Sequence, residues 1–260
     1  MRSRFLQAVS IALLMMASGV ARAGDGSALN IIGFSPDGRY FAFEQFGEQD
    51  GAGSLYASIT AVEVAGDRVV KGTPVTSSID PEAADRRKEP REKLLAEVRA
   101  NVAREAAALL KMLRISETGR PIAFVPKSRS RDMLDSEPVK AARQSVARTV
   151  ALPQEYFGPD AQLVLREFDI ALPRCKDLVV EGHPNGFALT LERKGRPTIH
   201  LSRDQTIPVA RGCPDRYGIA EAHALRLADD SIAFAVIIQY FYFAFEGPDR
   251  RFLAITGRVK

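Results

Sequence analysis

Apolar and polar residues alternate with a period of two through most of residues 29–75, the pattern of half-buried strands. Leu29–Phe34, Arg39–Phe46, Leu55–Val64 and the short Arg68–Thr73 read as an antiparallel meander. Ser35-Pro36-Asp37-Gly38 joins the first two strands: Pro presets φ, Asp bonds the backbone, and Gly tolerates the bend of the chain into the second strand. The Gly-rich loop Gly47–Ser54 joins the next two. The period then changes. Between Pro81 and Glu117, Leu95, Val98, Val102, Ala106, Leu109 and Leu113 recur three and four apart, which predicts one long amphipathic helix packed on a sheet. Asp80 before Pro81 reads as its N-cap, and Gly119 followed by Pro121 as its stop.

Residues 120–152 read as a basic surface connection. Ile122–Val125 has the character of a short strand and Val139–Thr149 that of a short helix. Lys127–Arg148 holds six basic residues against three acids, Asp132, Asp135 and Glu137, a solvated charge run more than a site for an anionic partner. Strand character returns over 160–260, in Gln162–Ile170, Leu178–Glu181, Gly186–Arg193, Thr198–Ser202, Ile219–Leu227, Ser231–Phe245 and Arg251–Val259. The run "IAFAVIIQYFYFAF" has no polar face, so it is expected as a central strand buried on both sides. These elements predict an α+β protein: mainly antiparallel β, with a blade-like N-terminal meander, a C-terminal β region and one long helix.

The N-terminus changes the reading of composition. Arg2 and Arg4 precede the apolar stretch Phe5–Val20, and Ala21-Arg22-Ala23 supplies small residues at a cleavage site, so residues 1–23 read as a secretory signal peptide. The apolar stretch is shorter than the ~20 residues of a membrane span, and no later run is long enough, Ile232–Phe245 coming nearest. Arg2, Arg4 and Arg22 leave with the leader, which lowers the formal net charge from +4 to +1 and removes the case for a nucleic-acid partner. The mature chain, Gly24–Lys260, is expected to be a single exported module, periplasmic or secreted.

Cys175 and Cys213 are the only cysteines, and in an oxidising compartment an even count points to a disulfide. Free core cysteines or two ligands of a metal remain alternatives, while the absence of C-x-x-C speaks against a redox pair. Chain-entropy arguments give such a bridge about 4 kcal/mol.

"GFSPDGRYFAF" suggests one blade of a β-propeller, which would need the motif about every 40 residues. Only "FGPDAQLVLREF" and "EGPDRRFLAI" echo it, at irregular spacing and interrupted by the helix, so a complete propeller is not expected. "GFSPDGRYFAFEQFGEQDGAGSLYASITAVEV", the Cys175/Cys213 pair, "YGIAEAHAL" and "FEGPDRRFLAI" together resemble a family of predicted secreted bacterial proteins of unknown function. That resemblance implies export and one chain-long module; it implies no activity, so no catalytic residue is carried over. Residues 33–43 are also similar to propeller repeats of periplasmic TolB-like proteins.

Candidate chemistry is sparse. Glu48, Asp50 and Ser54 alternate oxygen ligands with glycines and suggest a calcium loop, although the full Asp-x-Asp-x-Asp pattern and a terminal bidentate Glu are missing; a Gly-rich hairpin loop is the plainer reading. Apart from calcium no cofactor is expected. His183, His200 and His223 form no zinc motif, but His200 and His223 lie on predicted strands that a sheet could bring together. There is no G-x-S-x-G elbow, P-loop or G-x-G-x-x-G. Tyr40 on the second strand and Tyr240 and Tyr242 on the central run, with Phe41, Phe43 and Phe46, would form an aromatic platform if the two strands share a sheet; otherwise they are core. The expected function is a non-catalytic binding or envelope-associated module whose partner is an envelope protein or surface polymer, met through loops Gly47–Ser54 and Glu246–Arg250. The alternative is an envelope hydrolase using Asp50, His200 or His223.

Overall fold

The computed structural model describes residues 26–49, 52–125, 147–175, 185–242 and 249–260. The leader, Asp50, His183, Leu178–Glu181, Phe243, Phe245, Glu246 and most of the basic connection lie outside the described residues.

In chain order the elements are β1 (Ala28–Phe34), β2 (Tyr40–Gln49), β3 (Ser54–Glu63), β4 (Arg68–Val69), β5 (Val75–Ile79), α1 (Pro81–Arg87), α2 (Arg91–Met112), β6 (Arg120–Phe124), β7 (Arg148–Ala151), α3 (Gln154–Phe157), β8 (Gln162–Asp169), β9 (Asn185–Glu192), β10 (Ile199–Arg203), β11 (Pro214–Arg226), β12 (Ile232–Tyr242) and β13 (Asp249–Val259). They build three antiparallel sheets. The first runs β1-β2-β3, with β4 and β5 pairing successive halves of β3. The second, central in the molecule, runs β13-β12-β11-β6, and the third β10-β9-β8-β7. The mainly antiparallel α+β class is the one the hydrophobic pattern predicts.

The sheets stack face to face, with α2 as a fourth layer, and do not circle an axis as propeller blades would. Leu94, Val98, Val102 and Ala106 of α2 pack on Leu55, Ala57 and Ile59 of β3. The other face of the first sheet, through Phe34, Phe41, Phe43 and Val64, meets Ala233, Ala235 and Ile237 of β12. The even positions of β12, Phe234, Val236, Ile238 and Tyr240, turn the other way and pack with Leu163, Leu165, Leu189 and Leu191 of the third sheet. So β12 is buried on both faces, as its sequence predicts. Its two faces differ in size for a reason: alanines at 233 and 235 leave room for three phenylalanines, at the close packing that interiors require.

The Pro-Asp-Gly turn forms as expected. Gly38 N donates to Ser35 O at 2.8 Å, and Asp37 accepts from Ser35 Oγ and Arg39 N at 2.6 and 3.1 Å. Gly33 just before it has φ +126°, and a Cβ there would sit 2.2 Å from the Glu117 carbonyl oxygen. That close approach lets Phe34 pair with Glu117 through backbone hydrogen bonds of 2.6 and 2.9 Å.

The helix differs from the single span expected over 81–117. Asp80 does cap it, accepting from Ala83 N at 2.7 Å. But Lys88 turns left-handed, at φ 52°, and Pro90, which cannot donate a helical hydrogen bond, restarts the chain as α2. The second helix stops at Met112, not near Gly119, because Ser116 and Glu117 leave it to bond Phe34 O. Two short strands, β5 and β7, fall where the sequence shows no alternation; β7 begins at Arg148, inside the stretch expected to end a helix at Thr149. Cys175 and Cys213 form a disulfide with Cα atoms 5.7 Å apart, which closes the metal-ligand and free-thiol alternatives. Among the described residues no helix is long and apolar enough to cross a membrane.

Candidate functional site

Side-chain contacts tie the outer edge of β13 to the first sheet. Gln45 of β2 accepts from Phe252 N at 3.1 Å through its amide oxygen. Asp67 accepts from Thr256 N and Thr256 Oγ1 at 2.7 and 3.0 Å. Arg250 Nη2 donates to Ser27 O at 2.9 Å. These contacts satisfy an edge that would otherwise be open to pairing, and they lock the first sheet over the β12–β13 side of the central one.

Toward β6 the apolar contact between the two sheets ends, and a cavity of about 170 Å³ begins. Ser27 and Leu29 of the first-sheet side form one wall; Phe124, Glu221, Gln239 and Phe252 of the central sheet form the other. Phe124 stands at its rim with 66% of its surface exposed.

A β-bulge places the acid there. On β11, Ile219 pairs with Ile238 and Glu221 with Ile237, which leaves Ala220 as an extra residue. Before the bulge, Tyr217 and Ile219 face the third sheet; after it, Ala222 and Ala224 do. Glu221 and His223 are thereby re-aimed toward the first sheet. Strict alternation from Tyr217 would have put both on the opposite face.

Gln239 is 3% exposed and lines the cavity, and no described residue hydrogen-bonds its side-chain amide. The amide lies across Gly218, its pairing partner on β11, where a Cβ would come within 3.3 Å of Nε2. Glycine at 218 thus makes the space in which the amide turns to the cavity. His223 is also buried, and among the described residues neither ring nitrogen has a hydrogen-bond partner. Its Nε2 is 3.3 Å from Glu221 Oε1, within ion-pairing distance but outside hydrogen-bonding geometry. Three other shielded carboxylates face arginine, Glu44 with Arg99, Glu167 with Arg148 and Asp204 with Arg211, whereas Asp67 is held by Thr256 N and Oγ1. Among the described residues Glu221 has only a ring that is charged when protonated.

The residues singled out from sequence do not converge. Tyr40 packs against the cluster of Ala42, Ala61 and Leu113 on the helix side of the first sheet. Tyr240 faces the third sheet between the rings of Tyr217 and Tyr242, and burial raises its pKa. Burial likewise pushes the half-buried Tyr242 up to about 12. Since β2 and β12 belong to different sheets, the condition for an aromatic platform joining Tyr40 to Tyr240 and Tyr242 is not met. His200 is exposed on β10, in the third sheet, and His223 faces away from that sheet, so the two histidines form no joint site. Glu48 of the Gly-rich loop pairs with Arg91 of α2, which also donates to Gly53 O at 3.0 Å. Ser54 sits in the ladder opposite Gln49. Among the described residues no three His, Cys, Asp or Glu side chains gather as a metal site would require. Gln239 is not among the residues the sequence pattern singles out, yet it carries a signal: it is the one amide in a strand otherwise apolar or aromatic.

No curated protein and no solved structure matches the chain. A family model does, over residues 42–258, which takes in the turn before β3, the disulfide and the central sheet up to Arg258. On that match the chain belongs to the family described as "Predicted secreted protein (DUF2259)".

Proposed function

We propose that this exported protein is a non-catalytic binding module of the cell envelope, and that its ligand enters the cavity between the first and central sheets. The observation that carries this reading is Gln239. Its side-chain amide bonds to no described residue and opens onto the cavity, so whatever fills the cavity supplies its hydrogen-bond partners. A ligand that bonds the amide explains why a strand so apolar contains it. The cavity is of the order of one that holds a benzene ring, about 150 Å³, so the ligand, or the part of it that is bound, is small.

The hydrolase reading has less support. His200 and His223 lie apart, and among the described residues no hydroxyl hydrogen-bonds either nitrogen of His223. The test is a Gln239→Met variant, close in volume, compared with the wild type in thermal-shift titrations against small envelope metabolites. A compound that stabilises the wild type and loses most of that effect in the variant supports the cavity as the binding site. Equal stabilisation of both places the ligand elsewhere and overturns the assignment, and so does no stabilisation by any compound.

A further inference from the structure

Four polar side chains line the cavity, and two of them are held by the protein itself. Arg250 Nη2 donates to Ser27 O at 2.9 Å, and Ser27 Oγ shares a hydrogen bond of 2.6 Å with Tyr56 Oη. Glu221 and Gln239 differ from these: among the described residues neither side chain has a hydrogen-bond partner. The other side chains of the lining are apolar, Leu29, Val125, Phe124 and Phe252 among them. From this set we propose that the ligand is an N-acetylated amino sugar, bound by its acetamido group. The proposal rests on the cavity being a ligand site and adds the chemical class.

Hydrogen-bonding capacity decides the class. An ionised Glu221 only accepts, and it has about four lone-pair sites, so the His223 ring at 3.3 Å leaves it room for a ligand N–H. The Gln239 amide has two N–H donors and one acceptor oxygen. The bound group must therefore donate to the first, accept from the second and be apolar elsewhere. A secondary acetamide does all three. Its N–H faces Glu221, its carbonyl oxygen accepts from Gln239 Nε2, and its methyl group lies against the apolar walls. A carboxylate has no proton for Glu221. An ammonium group has no lone pair for the Gln239 N–H groups. A row of hydroxyls meets both side chains but brings further polar groups to walls that offer carbon. Shape then selects the sugar over a peptide. The cavity opens beside Phe124 and is closed where the apolar faces of the first and central sheets meet. It suits a group that ends, as the acetamido methyl does, more than a peptide bond that continues on both sides. A volume of about 170 Å³ admits the acetamido group and leaves the sugar ring at the mouth. There Phe124, 66% exposed, offers aromatic surface to the C–H groups of the ring. Because the ring stays at the mouth, a free sugar and a unit of a surface glycan present the same chemistry.

The probes are N-acetyl-D-glucosamine, D-glucosamine and D-glucose, which share one ring and differ only in the acetamido, ammonium or hydroxyl group on a single carbon. Calorimetric titration at neutral pH is run on the full exported chain. The expected result is saturable binding of N-acetyl-D-glucosamine, with the other two at least about tenfold weaker. Either of them binding as tightly overturns the acetamido assignment, and this comparison needs no variant to fold. N-acetylglycine methylamide binding as tightly as the acetylated sugar would show a peptide ligand and overturn the sugar. Glu221→Met and Gln239→Met, each first checked for a native melting transition, are each expected to weaken N-acetyl-D-glucosamine at least about tenfold. Unchanged affinity in either variant overturns the proposed pairing. The trimer of the acetylated sugar binding more tightly than the monomer supports a glycan as the source, and equal binding supports the free sugar. If no acetylated sugar binds but the broader metabolite titration finds a ligand that depends on Gln239, the class falls and the cavity stands. If neither finds a ligand, both fall.

Discussion

The disulfide offers the most quantitative test of how this fold is held. Replacing Cys175 and Cys213 together with alanine removes a bridge across 38 positions of sequence. A loop of that length costs the unfolded chain about 4 kcal/mol of closure entropy. The native arrangement has a second brace between the same segments: Arg174 Nη2 donates to Ile207 O at 2.8 Å and reaches the Pro208 and Gly212 carbonyls at 3.4 Å. The variant should therefore keep its native structure and lose stability through the unfolded state. For a chain of this size a loss of about 4 kcal/mol lowers Tm by roughly 8–16 °C. Urea melts of the variant and of the wild type with and without reductant give the measurement, and reduced wild type should match the variant. A loss below about 1 kcal/mol would show that the loop is already constrained when unfolded, and would refute the entropic argument. A lost near-ultraviolet dichroism signal under native conditions would refute the claim that Arg174 suffices to hold the segments.

Two further outcomes concern buried carboxylates. Burial raises the pKa of Asp67 above the ordinary 3.8, so the native state holds its proton more tightly than the unfolded chain; its contribution is most favourable below the unfolded value and is lost as pH rises through the folded one. Asp67→Asn keeps the acceptor oxygen for Thr256 and suits the positive φ of 48°, so it should be more stable than wild type at pH 7, with the gap closing toward pH 3 in urea melts; a gap independent of pH would contradict this. Arg99→Ala leaves Glu44, 7% exposed at its side chain, with Asn30 at 3.1 Å as the donor that remains, and should cost about 2 kcal/mol, most of it recovered when Glu44→Leu is added.

Local signals are legible in the sequence, and long-range ones are not. The first three strands, the Pro-Asp-Gly turn and the doubly buried β12 all announce themselves by periodicity within ten residues or so. The same is true of the N-cap at Asp80. The break at Lys88–Pro90 is visible as a proline, but the apolar stripe continues past it and suggests one helix. β5 (VTSSI) and β7 (RTVA) are short and offer no run of alternation long enough to read; ladder pairing with β3 and β8 makes them strands. The aromatic platform fails for a different reason. Which sheet a strand joins is decided by contacts between distant residues, and only shared aromatic composition connects Tyr40 with Tyr240 in the sequence. The candidate site is hidden by the bulge at Ala220, since one extra residue reverses the face of everything after it.

That bulge also explains why the cavity lies where it does. Without it, Glu221 and His223 would point into the slab between the central and third sheets, which is filled by leucines and phenylalanine, and Ala222 would face the first sheet. A charge there would have no water and no cation, a cost of several kcal/mol. With the bulge, Glu221 emerges where the first sheet no longer covers the central one, next to the amide of Gln239 and under the rim of Phe124. Three departures from the simplest strand sequence thus meet at one place: an extra residue at 220, a glycine at 218 and an amide at 239. They sit on and beside β12, whose other positions are alanine, valine, isoleucine and aromatic residues. Together they open a polar corner in an apolar sandwich, and nothing in the stacking of the three sheets requires that corner. Polar groups opening into a cavity at that corner are the physical reason to look for a ligand there.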